Sequence, residues 1–143
     1  MLYTPMTKKA LALCFQIHKD QRDKSGLPYV FHPFHLAEQM QDDEDATVVA
    51  LLHDVLEDSD CTLDDLRGMG FGEAVLRALS LLTHDPAVSY EDYVAGLKDD
   101  PIARRVKLAD LRHNSDMSRL DTVTPRDEAR AEKYKRAIEY LMA

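Results

Sequence analysis

The stretch LLHDVLEDSD, residues 51–60, places His53, Asp54, Glu57 and Asp58 directly after an apolar pair, Leu51 and Leu52. Three carboxylates crowded beside an imidazole repel one another unless a cation or a proton comes between them. The stretch is therefore either the solvated acidic face of an ordinary helix or a set of ligands and bases for hydrolysis on a bound ion. Two further stretches bear on that choice. In LPYVFHP, His32 stands immediately before Pro33, where the backbone is stiff, although His35 satisfies the spacing as well. In VKLADLRHNS, Asp110 is surrounded by Val106, Leu108, Ala109 and Leu111, a setting that reads as interior. A carboxylate buried there must pair with a cation, take a proton or ligate a metal. Lys107, one turn away, is its plain structural partner. Together, His32, His53, Asp54 and Asp110 form a two-His, two-Asp set. Such mixed donors suit one Mn²⁺ with positions left for water, and Zn²⁺ less naturally.

Helices must hold these residues. Thr4-Pro5 offers an N-cap followed by proline at the first helical position, opening a helix through about residue 20. KSGLPYV reads as a loop by its Gly and Pro. Pro33 starts a short second helix, PFHLAEQM, and a third is predicted from about Asp45 to Glu57. At about 100° per residue this third helix carries its polar residues on one arc, with Val48, Leu51, Leu52, Val55 and Leu56 on the other. Thr62 caps a short piece and FGEAVLRALSLL is a longer helix. Ser89, Asp100-Pro101 and Thr124-Pro125 then open YEDYVAGLK, PIARRVKLADLRHNSDM and PRDEARAEKYKRAIEYLM. No extended strand pattern or hairpin turn appears. The expectation is one compact all-α bundle over residues 1–143.

Composition narrows the partners. With 143 residues the chain is long enough for a hydrophobic core. Its net charge of −8 repels polyanions, so no nucleic acid is expected, and a phosphorylated ligand needs a local basic cluster or a metal. Cys14 and Cys61 lack metal-site spacing and fit a reducing cytoplasm. No segment has the apolar core of a signal peptide or a membrane span.

In order, KSGLPYVFHP, ALLHDVLEDSD, LLTHD and VKLADLRHN resemble the HD-domain hydrolases of the RelA/SpoT type, and among them the small alarmone hydrolases. The resemblance covers roughly residues 10 to 120. It implies an HD-domain helical bundle with one Mn²⁺ at His32, His53, Asp54 and Asp110. It further implies removal of the 3′-pyrophosphate from guanosine tetra- or pentaphosphate (ppGpp and pppGpp). Glu57 and Asp58 match the pair that positions and deprotonates the attacking water. Asn114 matches a residue on the nucleotide side of the pocket, and Lys24 one near the phosphates. Two positions depart from the pattern. The family carries Arg immediately before the Lys of the Lys-x-Gly loop; here Asp23 stands there, with Arg22 one place earlier. The usual KLADRLHN reads KLADLRHN, moving a guanidinium about 100° around the helix to Arg112.

The expected chemistry is metal-assisted hydrolysis of a small nucleotide, with Glu57 or Asp58 taking the proton from water. Lys24, Arg22, Lys107, Arg104 and Arg112 are candidates to offset substrate charge, with ordinary surface solubility as the alternative for Arg104 and Arg112. Tyr90 or Tyr93 could reach the pocket or simply pack. The competing enzyme is an HD phosphohydrolase on another nucleotide, such as NADPH or a nucleoside monophosphate, which the altered Arg positions favour. A non-catalytic nucleotide-sensing module is the third reading; retention of both Glu57 and Asp58 weighs against it. Alarmone synthesis, which needs a separate domain, is not expected.

Overall fold

The computed structural model describes residues 1–143 and is all-helical. Helices run α1 (Pro5–His18), α2 (Phe31–Glu38), α3 (Glu44–Leu52), α4 (Val55–Asp58), α5 (Leu63–Gly68), α6 (Glu73–Leu82), α7 (Tyr90–Leu97), α8 (Pro101–Asn114) and α9 (Pro125–Met142). A 3₁₀ turn at Met117–Arg119 joins α8 to α9. The only β pairing is an isolated bridge between Arg22 and Pro28, which pinches the loop after α1.

The helix starts follow their capping chemistry. Thr4, Thr62 and Thr124 each close a capping box, while Asp43, Ser89 and Asp100 accept from a backbone N–H in the first turn. α3 is the hub: α1, α2, α6 and α8 all pack on it. Surrounded on every side, it buries each residue from Ala46 to Leu52. The one-sided apolar stripe expected from the sequence is therefore replaced by a helix that is interior all round, as a central helix must be. Its single interior hydroxyl, Thr47, donates to the Asp43 carbonyl at 2.7 Å and so costs little to bury.

The expected continuous helix to Glu57 also breaks. α3 ends at Leu52, Asp54 sits at φ −106°, ψ 2°, and α4 begins afresh at Val55. On an unbroken helix His53 and Asp54 would diverge by about 100°. The break turns both toward one point.

The fold's buried histidines and carboxylates are His18, His32, His53 and Asp110. His32, His53 and Asp110 meet at the junction of α2, α3 and α8, and His18 lies beside them against Tyr29. No helix is long and apolar enough to cross a membrane.

Candidate metal centre and its adjoining cleft

His53 defines the centre. Its Nδ1–H donates to the Ala50 carbonyl at 2.7 Å, which fixes the ring and leaves Nε2 as the inward-facing nitrogen. Nε2 is buried without a hydrogen-bond partner. It faces Asp54 Oδ2 at 3.2 Å and Asp110 Oδ1 at 3.6 Å. A bare imidazole lone pair turned toward two carboxylates is unfavourable unless a cation or an added proton lies between them.

The other donors converge from α2 and α8. His32 Nε2 lies 2.8 Å from Asp110 Oδ1. The donor atoms of His32, His53 and Asp110 all fall within 4.8 Å of one another. Asp54 completes the wall beside His53, and the Tyr29 hydroxyl donates to its Oδ2. The structure thus brings three of the sequence-predicted ligands, His32, His53 and Asp110, into one cluster, with Asp54 flanking it at His53. His35 stays outside: it stacks on the far ring of His113, with centroids 4.2 Å apart.

The two aspartates are shifted in opposite directions. Burial raises Asp54, and the neighbouring Asp110 charge raises it further. Burial also acts upward on Asp110, but the Lys107 ammonium and the His32 and His53 rings outweigh it and hold Asp110 well below the usual carboxylate range. The opposed shifts mark two carboxylates close enough to repel each other, a repulsion that a divalent cation between them would relieve. With two imidazole nitrogens, one of them the orphaned Nε2, and two carboxylates, the residues fit such an ion.

A supporting layer fixes this arrangement. Lys107 donates to Asp110 Oδ2 at 3.0 Å, and Asn114 to Oδ1 at 2.9 Å. Burial works against the Lys107 charge, yet Asp110 and the nearby Tyr93 and Tyr90 keep its pKa above the ordinary lysine value. Its ammonium lies over the Tyr93 ring at 5.2 Å, away from the open cleft. His113 stacks parallel to His32, and their Nδ1 atoms sit 2.7 Å apart, one donating to the other. Burial, then the adjacent His32 and Arg119, lowers the His113 pKa to about 4, so it is neutral at pH 7. Such outer partners orient metal-binding imidazoles.

Glu57 and Asp58 stand on α4, on the exposed side of this corner. Glu57 Oε1 accepts the His84 backbone N–H at 2.6 Å. Asp58 Oδ2 accepts from Gln21 Nε2 at 3.2 Å, and Gln21 Oε1 accepts from buried His18 Nδ1–H at 2.8 Å. Each carboxylate is aimed by one donor and keeps a free oxygen.

A cleft of about 280 Å³ opens beside His32 and Tyr29. Its walls carry Arg22, Lys24, Arg119 and Arg130 against Asp23 and Asp116, four cations to two carboxylates on a chain of net charge −8. Asn114 and Tyr134 also line it. Lys24, Arg22 and Asn114 are therefore at the cleft. Arg104 and Arg112 turn to α9 instead: Arg104 donates to the Leu141 carbonyl at 2.6 Å and Arg112 lies 3.6 Å from Met142 Sδ. Sequence reasoning missed Tyr29, Gln21, His18, Arg119 and Arg130. Tyr29 had a signal, since it precedes His32 by three residues in the same motif. Arg119 and Arg130 had none, lying in stretches that read as connector and closing helix.

In fold and in this corner the chain is similar to HD domains of the RelA/SpoT type. A solved structure described as a metazoan ortholog of SpoT that hydrolyzes ppGpp superimposes with a TM-score of 0.76. The match covers 99% of this chain and 88% of that one at 22% identity. No family model matches the chain. In sequence it is 29% identical to guanosine-3′,5′-bis(diphosphate) 3′-pyrophosphohydrolase from Aquifex aeolicus (strain VF5), over 94% of its length. It is 30% identical, over 85%, to a probable enzyme of the same name from Synechocystis sp. (strain ATCC 27184 / PCC 6803 / Kazusa). It is also 33% identical, over 76%, to GTP pyrophosphokinase rsh of Brucella melitensis. The chain spans a fifth or less of these relatives, 20%, 18% and 16% of their lengths.

Proposed function

We propose that this domain removes the 3′-pyrophosphate of guanosine tetra- or pentaphosphate, releasing pyrophosphate and leaving GDP or GTP, with one Mn²⁺ held by His32, His53, Asp54 and Asp110. The observation that carries the reading is the orphaned Nε2 of His53, aimed at two carboxylates beside a cation-lined cleft. The relatives named for this reaction supply the substrate. When bound, the ion lowers the pKa of water and offsets phosphoryl charge.

The chain's own residues do the remainder. Glu57 and Asp58 each keep an oxygen free to accept the proton of the attacking water, and their hydrogen bonds to His84 and Gln21 hold them in place. Water adds to the phosphorus on the 3′ oxygen, the P–O3′ bond breaks, and that oxygen takes a proton. Lys24 and Asn114 at the cleft receive the nucleotide, with Arg22 beside them. Lys107 acts through Asp110, whose charge it sustains. The reading places the protein in the cytoplasm, with its nucleotide substrate. Its two cysteines are free, and burial, helped by Asp54, pushes the Cys14 thiol up to about 12.

The test is product identity. The Mn²⁺-loaded protein should convert guanosine tetraphosphate to GDP and pyrophosphate, and Glu57→Ala with Asp58→Ala should abolish turnover. Release of orthophosphate, or full activity in the double variant, overturns the assignment. A second reading, hydrolysis of another nucleotide, is favoured by one observation. Leu111, where the family pattern has Arg, is buried in the core, and its displaced neighbour Arg112 points away from the cleft. A nucleotide panel run beside guanosine tetraphosphate separates the two.

A further inference from the structure

The loop after α1 contains an acidic residue at the place where the family pattern carries Arg. We infer that Asp23 and Arg119 form one specificity-determining unit. Asp23 is a positioning residue that anchors Arg119, and Arg119 supplies the guanidinium that receives the anionic nucleotide. This rests on the reading of the cleft as a nucleotide site.

Asp23 is fully engaged. Its Oδ1 accepts from Ser25 N at 2.9 Å, Ser25 Oγ at 2.6 Å and Leu27 N at 3.0 Å, and its Oδ2 lies 3.3 Å from Arg119 Nη1. Three of these contacts fall on Oδ1 and one on Oδ2, so the charge of the carboxylate is offset by backbone and hydroxyl donors and by the Arg119 guanidinium instead of facing a bound phosphate bare. The same bonds close the turn that presents Lys24, which Gly26 completes at φ +85°. The carboxylate thus shapes the loop and fastens it to a residue 96 positions away.

Arg119 is held at two points, Asp23 and the His113 carbonyl at 3.0 Å. Of its five N–H groups two are thereby used, and Nε–H is buried with no partner. The side chain is 24% exposed at the cleft wall. Anchored through both terminal nitrogens, the guanidinium keeps a second N–H on each at the cleft wall, the planar donor set with which arginine recognises phosphate or stacks on a base. Neither arginine displaced in the sequence fills this place. Arg22 bonds the Gly26 carbonyl at 3.1 Å and Arg112 turns to α9. An Arg at position 23 would repel Arg119, which accounts for an acid there.

The experiment measures calorimetric affinity of the full chain, in EDTA, for guanosine tetraphosphate and for inorganic pyrophosphate. Arg119→Ala should weaken binding of guanosine tetraphosphate about tenfold or more, the usual scale for a lost charge-assisted contact. Arg119→Lys, which keeps charge and loses the fork, should fall between and serves if the alanine variant does not fold. Asp23→Asn should weaken binding several-fold, and adding it to Arg119→Ala should change nothing further, because Asp23 acts through Arg119. With Mn²⁺, the same variants should raise KM and leave kcat within about twofold. Affinity within twofold of the parent in Arg119→Ala overturns the inference. So does an Asp23→Asn effect that persists undiminished without Arg119, or a parent that binds neither probe. Arg119-dependent binding with no pyrophosphate release would instead support this inference and sink the proposed reaction.

Discussion

His32 and Asp110 stand on α2 and α8, His53 caps the C-terminus of α3, and each is 4–6% exposed. Lys24, Arg119 and Arg130 stand on a loop, a 3₁₀ turn and α9, which buries only Ala137 and Leu141. The candidate metal corner is thus built from the hydrophobic core, and the cation-bearing wall of the cleft from its periphery. A shift of a core helix would cost packing across the whole fold, whereas a peripheral turn can exchange residues at little cost. The two departures from the family pattern, at positions 23 and 111–112, leave the corner's donors untouched and alter only where guanidinium groups stand. Chemistry and selectivity are therefore separable here.

The contrast can be broken most severely at Asp110. Asp110→Ala leaves the Lys107 ammonium buried without its partner, so urea unfolding in EDTA should show a loss of roughly 3–5 kcal/mol. A loss no greater than that of a surface substitution would mean that the pair is incidental to the core. Next in size is the ion itself. Mn²⁺ at a hundred times its dissociation constant should stabilise the parent by about 2.7 kcal/mol, seen as a rise in Tm. His53→Ala should erase that rise.

At the periphery the expected effects shrink. Lys24→Ala should raise KM about fivefold, near 1 kcal/mol, with folding stability unchanged. A change in kcat would blur the division between corner and wall. The smallest effect concerns pH. Burial acts to raise the Asp23 carboxyl, but its bonds to Ser25 and Leu27 and the Arg119 charge bring it below the ordinary value. Its contribution is then complete above the unfolded-state pKa and fades as pH falls through the folded one. Asp23→Asn should accordingly cost stability at neutral pH and progressively less below about pH 4. An equal cost at both ends would assign the loss to hydrogen bonding alone.

How much of this was legible in the sequence follows the same division. Caps are local, so Thr4-Pro5, Ser89, Asp100-Pro101 and Thr124-Pro125 announce their helices, and α1, α7, α8 and α9 start where expected. The all-α fold follows from them. The break between Leu52 and Val55 was not legible, because an apolar run followed by acids has helical periodicity whether or not the backbone turns. Only the packing of α1, α2, α6 and α8 around α3 decides it. His32, His53 and Asp110 were readable because each interrupts an apolar motif, where a polar group needs a reason. The bonds of Lys107 and Asn114 to Asp110 follow from spacings of three and four residues on α8. The Asp23–Arg119 pair spans two segments with no common periodicity, so nothing local could announce it.

One consequence of the Lys107–Asp110 bond concerns the order of assembly. Because an internal ammonium already neutralises the deepest carboxylate, the fold does not depend on an ion to offset that one charge. A zinc finger, by contrast, collapses only when its metal arrives. On the proposed reading, binding of a divalent ion is then an adjustment to a domain held together by its core, not the event that folds it.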